Sequence, residues 1–211
     1  MAESFTQVPP NSTGNKLRDV QQTIGANTVH MPVVVPTWGA HPPRRYKFAT
    51  RVLGVAGAQV FVALSNPLGG TKFHLVRRVT VERYGVAAAL LKQGLEWIRS
   101  TAAASAGTLQ AATAIFKDDT NDVNTTAEVR TANPTITAGA VMASLGNHVL
   151  VTAVGMGTGP PSVFDAPEPG PPLCILRANE GLAIRNAAGG TGDVDETYGI
   201  AIEWDETDAL P

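Results

Sequence analysis

The sequence predicts an all-β protein: one β-sandwich, residues 36–211, preceded by an N-terminal arm, residues 1–35. Three observations predict it. Apolar residues recur with a period of two in short runs at 59–65, 72–83, 148–154, 173–177, 182–186 and 197–204. Clusters of Gly, Pro and Asn separate these runs, and 21 Gly with 15 Pro in 211 residues disfavour long helices. Hydrophobic residues make up 44% of the chain, enough for a core, and a single sandwich of this length is ordinary.

The arm comes first. Its large apolar residues are few and scattered: Phe5, Val8, Leu17, Val20 and Ile24 lead this set. "VPPNSTGN" is loop by composition. "KLRDVQQTIG" reads equally as a short helix ended by Gly25 or as extended chain. Too few apolar groups are present for the arm to fold alone, so these five residues are the candidate contacts to a partner, with Pro9 and Pro10 stiffening the chain between them. "MPVVVP", bracketed by prolines, suits an edge or first strand.

The strands follow. "AQVFVALSN" alternates Val60, Val62 and Leu64 against Gln59, Phe61 and Ala63, and it stops at the turn cluster "NPLGG". "TKFHLVRRVTVERYG" places Phe73, Leu75, Val79 and Val81 in one phase. The two runs around that turn predict an antiparallel hairpin. In "VAAALLKQGLEWIRSTAAASAG" the alanines and leucines favour helix, but Gly94 interrupts it and Leu95 and Trp97 keep a period of two; a strand over 90–101 is expected. "NHVLVTAVG" and "LCILRANEGLAIRNAAGG" supply three short strands. The last strand, "TYGIAIEW", sets Tyr198, Ile200, Ile202 and Trp204 on one face, which is expected to be core in the interior of a sheet.

Charged residues are only 16% of the chain and the formal net charge is −2, which disfavours general nucleic-acid binding. The charge is unevenly spread. Arg44, Arg45, Lys47, Arg51, Lys72, Arg77, Arg78 and Arg83 face one acid, Glu82, in that stretch. After Arg185 there are only acids: Asp193, Asp195, Glu196, Glu203, Asp205, Glu206 and Asp208. Charge runs are ordinarily solvated, so an exposed acidic tail, with 205–211 dispensable for folding, is the first expectation. The alternative is that the basic and acidic regions meet. The opening residues lack the basic and apolar regions of a secretory leader, and no run reaches the ~18 apolar residues of a membrane span, so the expectation is a chain made in a cytoplasm with no membrane partner.

Signals for chemistry are weak. "GMGTGPPS" lacks the spacing of a nucleotide loop, and prolines stand where a helix would begin. "DDTNDVN" has some of the acid spacing of a calcium loop, but Val123 and Val129 occupy the glycine and glutamate positions. His30, His41, His74 and His148 form no ligand pair by spacing, and the lone Cys174 lies in an apolar run as a small buried hydrophobe. No catalytic residue, cofactor site or metal site is predicted, and the chain is not expected to be an enzyme.

Two stretches carry a resemblance. "PPNSTGNKLRDVQQTIGANTVHMPVVV" contains Gly-x-x-Leu-Arg leading into Gly-x-Asn-x-Val-His, residues 25–30. "ILRANEGLAIRNAAGGTGDVDETYGIAIEWDE" contains "NEGLAIRN" leading into a strand ending Glu-Trp-Asp. Together they resemble structural proteins of tailed-bacteriophage virions, most like capsid decoration (cement) proteins. The resemblance implies a jelly-roll-like β-sandwich on the capsid exterior. The partners it implies are the major capsid protein and copies of the chain itself, as a homotrimer or a dimer. The second role it leaves open is a tail or head-fibre component that helps attach to the host.

Overall fold

The structure is a computed structural model, and it describes residues 3–6, 17–24, 27–33, 44–55, 57, 59–84, 93–148, 162–167, 170–187 and 197–208. The chain divides into two compact units, Met1–Ala40 and His41–Pro211.

In the first unit β1 (Glu3–Thr6), β2 (Leu17–Ile24) and β3 (Asn27–Val33) form an antiparallel sheet in the order β1-β2-β3. Residues 17–24 are therefore strand, although their apolar spacing also fits a helix. Val20, Thr23 and Ile24 are β-branched, and ladder hydrogen bonds on both sides of the strand decide the matter. The arm thus contains a small sheet, where the sequence suggests a segment with too few apolar groups to fold alone.

The second unit is an antiparallel β-sandwich. In chain order its strands are β4 (Arg44–Leu53), β5 (Val60–Ser65), β6 (Phe73–Tyr84), β7 (Gln93–Ser100), β8 (Thr108–Leu109), β9 (Phe116–Lys117), β10 (Glu128–Thr131), β11 (Ala138–His148), β12 (Ser162–Asp165), β13 (Cys174–Leu176), β14 (Gly181–Asn186) and β15 (Thr197–Thr207). Among the described residues the only helical turn is a 3-10 turn at Ala112–Ala114. One sheet runs β11-β7-β14-β5-β10-β8; the other runs β12-β6-β15-β4-β9, with β13 also paired to β6. The inner faces meet in one core, with Leu64, Trp97 and Ile184 from the first sheet against Phe48, Val79 and Ile202 from the second. A smaller cluster of Ala63, Ile98 and Ala183 on the first sheet is covered by Ala104 and Ile136 from the 101–137 connection.

β15 lies between β6 and β4. Tyr198, Ile200, Ile202 and Trp204 are at most 1% exposed, while Gly199, Ala201 and Glu203 are partly exposed on the other face. β7 occupies most of the expected 90–101 strand, and residues 85–92 lie outside the described residues. The expected 148–154 strand also lies outside them, apart from His148, which ends β11.

Two expectations fail for physical reasons. The 59–65 and 72–83 runs do not form a hairpin: β5 belongs to one sheet and β6 to the other. The "NPLGG" connection is an arch across the sandwich, held by Asn66, whose Nδ2 donates to the carbonyls of Lys72 (2.7 Å) and Leu176 (3.1 Å). A hairpin there would leave the apolar faces of both strands on one layer; the arch buries them against each other. The phase of β6 also breaks. A bulge between Glu203 and Trp204 sets Arg77 as an extra residue on β6, so Val76, and not Leu75, joins Val79 and Val81 in the main core.

Candidate functional site

The charge-rich end of β15 is the most densely built polar region among the described residues. Antiparallel pairing sets Asp205 opposite Arg45 and Glu206 opposite Arg44 on β4, and sets the same residues opposite Leu75 and His74 on β6. The basic strands thus flank the acidic end, and the basic and acidic stretches meet. Asp205 accepts from Arg45 Nε at 2.9 Å and from Arg77 Nε at 2.7 Å, and Arg77 also donates to the Gly170 carbonyl. Lys47 pairs with Glu203 at 3.0 Å, Lys72 with Asp208, and Arg44 with Asp122 at 3.3 Å. Asp205 is 3% exposed and Glu206 is 4% exposed, so the expected solvated, dispensable tail is corrected for these two residues. A buried charge must be paired, and the pairing pulls the strand end inside.

The Glu206 side chain is even more enclosed than that of Asp205. Its Oε2 accepts from the Thr126 amide (2.8 Å) and the Thr125 hydroxyl (2.8 Å), and lies 3.4 Å from His74 Nε2. Burial alone would raise its pKa, but hydrogen bonds from His74, the Thr126 amide and the Thr125 hydroxyl hold it at about 2. The same burial, with the Glu206 charge close by, pushes the Tyr46 phenol up to about 12, and its OH donates to the Val123 carbonyl. His74 Nε2 also meets Thr126 Oγ1 at 3.1 Å. This cluster resembles a hydroxyl–imidazole–carboxylate set but lacks the relay geometry. Acid and hydroxyl share one ring nitrogen, while Nδ1 is buried without a partner. Its chemistry is that of a structural lock.

On the outer face of the second sheet lie two open hollows. One, of about 330 Å³, is floored by Ala49, Gly199 and Ala201 between Arg51 and Glu82. The other, of about 460 Å³, is lined by Arg45, Arg77, Arg78, Asp165 and Glu203. The cations of the second hollow are matched by carboxylates, Arg45 and Arg77 by Asp205 and Arg78 by Asp165, while Glu203 pairs with Lys47. No group of His, Cys, Asp and Glu among the described residues is placed to hold a metal ion. In the "DDTNDVN" turn Asp122 pairs with Arg44, and Asp119 accepts from the Asn121 amide. Cys174 is buried, which pushes its thiol up to about 12. The glycine-rich stretch 155–161 lies outside the described residues, as do Val8 and His41.

The arm residues separate by register. Phe5 pairs with Arg18, and Arg18, Val20 and Ile24 alternate along β2, so Phe5, Val20 and Ile24 share one sheet face. Leu17, paired with Thr6, lies on the other. The ion-paired girdle around Asp205 answers the second reading of the charge asymmetry, that the basic and acidic regions meet; the residues that pair were not legible in the sequence. No known protein family, curated protein sequence or solved structure matches this chain.

Proposed function

We propose that this chain is a structural protein of a tailed-phage virion, a decoration protein that binds the outside of the capsid and stabilises it. The observation that carries the reading is the winding of the sandwich. Setting aside β13 and the strands of the 101–137 connection, β8, β9 and β10, the sheets run β4-β15-β6-β12 and β5-β14-β7-β11. From β4 to β15 the chain changes sheet at every step except β7 to β11. This supports a jelly-roll-like double winding, an architecture common among viral capsid proteins. Fold alone does not assign function. Beside it stand the resemblance of both chain ends to virion proteins, a sandwich whose buried charges are spent on internal pairs, and a separate N-terminal unit for partners. In this reading the arm contacts a neighbouring copy or the major capsid protein, and copies assemble as a homotrimer suited to local threefold positions.

Electron cryo-microscopy of the virion tests this. The expected result is density for the sandwich at regular positions over the shell. Density confined to the tail or to head fibres would replace decoration by a role in host attachment, and a virion without the chain would end the reading.

A further inference from the structure

Four strands of the second sheet place charged residues side by side on its outer face. β15 sets Glu203 opposite Lys47 on β4 and opposite Arg78 on β6, and β12 sets Asp165 opposite Arg78. The row Lys47-Glu203-Arg78-Asp165 therefore alternates in sign from strand to strand. Glu203, Arg78 and Asp165, with Arg45 and Arg77, line the hollow of about 460 Å³.

These cations differ in how firmly they are held. Arg77 is buried, and it donates to Asp205 at 2.7 Å and to the Gly170 carbonyl at 2.8 Å. Arg45 shares Asp205 at 2.9 Å, and Lys47 takes Glu203 at 3.0 Å. Among the described residues Arg78 has one charged partner, Asp165, at 3.4 Å, and the two side chains are 43% and 57% exposed. The Nε of Arg78 is buried without a hydrogen-bond partner. A solvated pair at that distance contributes little and opens readily. In and beside the hollow, Arg45, Lys47, Arg77 and Arg78 stand against Asp165, Glu203 and Asp205, which leaves one positive charge in surplus.

We infer that this hollow binds a carboxylate from outside the chain, which replaces Asp165 on Arg78 and is seated beside the guanidinium groups of Arg45 and Arg77. The chemistry selects the ligand. A planar guanidinium matches a planar carboxylate, and Asp205 already bridges two of the three arginines in this way. One negative charge balances the surplus, whereas a phosphate, with about 1.5 to 2 negative charges at neutral pH, overshoots it. Release from Asp165 also frees the Arg78 guanidinium to turn its orphaned Nε, with a terminal nitrogen, toward both oxygens of one ligand. A free small acid and the acidic side chain of a partner protein share this chemistry.

The isotopically labelled full-length protein is titrated with sodium acetate, with chloride lowered to hold the ionic strength constant, and the arginine Nε–H signals are followed by nuclear magnetic resonance. The Arg78 signal should move along a saturating curve. Asp165→Asn removes the internal competitor at an exposed position, so it should lower the half-saturating acetate concentration roughly threefold or more. Arg78→Gln should remove the saturable shifts of the Arg45 and Arg77 signals. Replacing acetate by the amide of N-acetylglutamate separates the sources: tighter binding than acetate points to the side chain of a partner, and equal binding to a free acid. Shifts that only grow linearly with acetate, unchanged or weaker binding by Asp165→Asn, or tighter binding of inorganic phosphate than of acetate would overturn the inference.

Discussion

At the scale of single residues, the end of β15 concentrates the consequences. Trp204 is fully buried, stacks on Tyr46 with ring centroids 6.0 Å apart, and donates from Nε1 to Thr125 Oγ1 at 3.3 Å. Trp204→Ala should cost about 3–5 kcal/mol, read as a shift in the denaturation midpoint. An unchanged midpoint would make the strand end peripheral. Asp205→Ala removes the shared partner of Arg45 and Arg77, and Arg77 is itself buried. Leaving that guanidinium unpaired should cost about 3–5 kcal/mol. Glu206 predicts a pH dependence. Its pKa is lowered from 4.5 to about 2, so its contribution is full above pH 4.5 and is lost as pH falls through about 2. The shift corresponds to about 3 kcal/mol. Melting curves of the native chain should lose this stability between those values, and Glu206→Gln should lack that part of the acid transition.

At the scale of elements, the connections matter more than the strands. β5 to β6 and β13 to β14 both cross between the sheets, and Asn66 ties the two crossings together. Besides its side-chain bonds, its amide donates to the Glu180 carbonyl, and its own carbonyl accepts from the Asn179 amide. Asn66→Ala would leave the buried Leu176 carbonyl without that donor, so a loss of about 1–3 kcal/mol is expected in chemical denaturation, with the fold retained. The two glycines of the arch have separate reasons, and only that of Gly70 involves Asn66. Gly69 has φ +82, and a Cβ on Gly70 would lie 2.1 Å from Asn66 Oδ1. The turn was legible in "NPLGG", but its destination was not, because a Gly-rich turn serves a hairpin and an arch equally well. The bulge at Arg77 was equally hidden. Alternation shows which residues are apolar, and only the partner strand decides where an extra residue is inserted.

At the scale of the whole molecule, the chain divides into an N-terminal unit, Met1–Ala40, and a sandwich unit, His41–Pro211, and the proposed reading gives partner binding to the first. Deleting residues 1–30 should leave the melting temperature of the sandwich little changed, because the described core residues all belong to the second unit. The same deletion should sharply weaken binding to capsids that lack the native protein. Equal binding by truncated and full-length chains would move the contact to the sandwich. A large drop in melting temperature would mean that the arm is part of its fold. Of the candidate contacts, the register joins Phe5, Val20 and Ile24 on one face and sets Leu17 on the other, a sorting that linear spacing does not contain.

The sequence by itself determined the fold class, the location of most strands and the core face of β15. These follow from the chain's own alternation, since burying one face of a strand imposes a period of two wherever that strand lies. It also held the charge asymmetry that later proved to be an ion-paired girdle. Tertiary structure alone decided which strands are neighbours, that the two arches cross the sandwich, and that Asp205 and Glu206 turn inward. Those outcomes depend on partners distant along the chain, such as Arg45 and Arg77 for Asp205 and His74 and Thr125 for Glu206. An acidic run reads as solvated until the cations that desolvate it are placed within hydrogen-bond reach, and only the folded sheet brings them there.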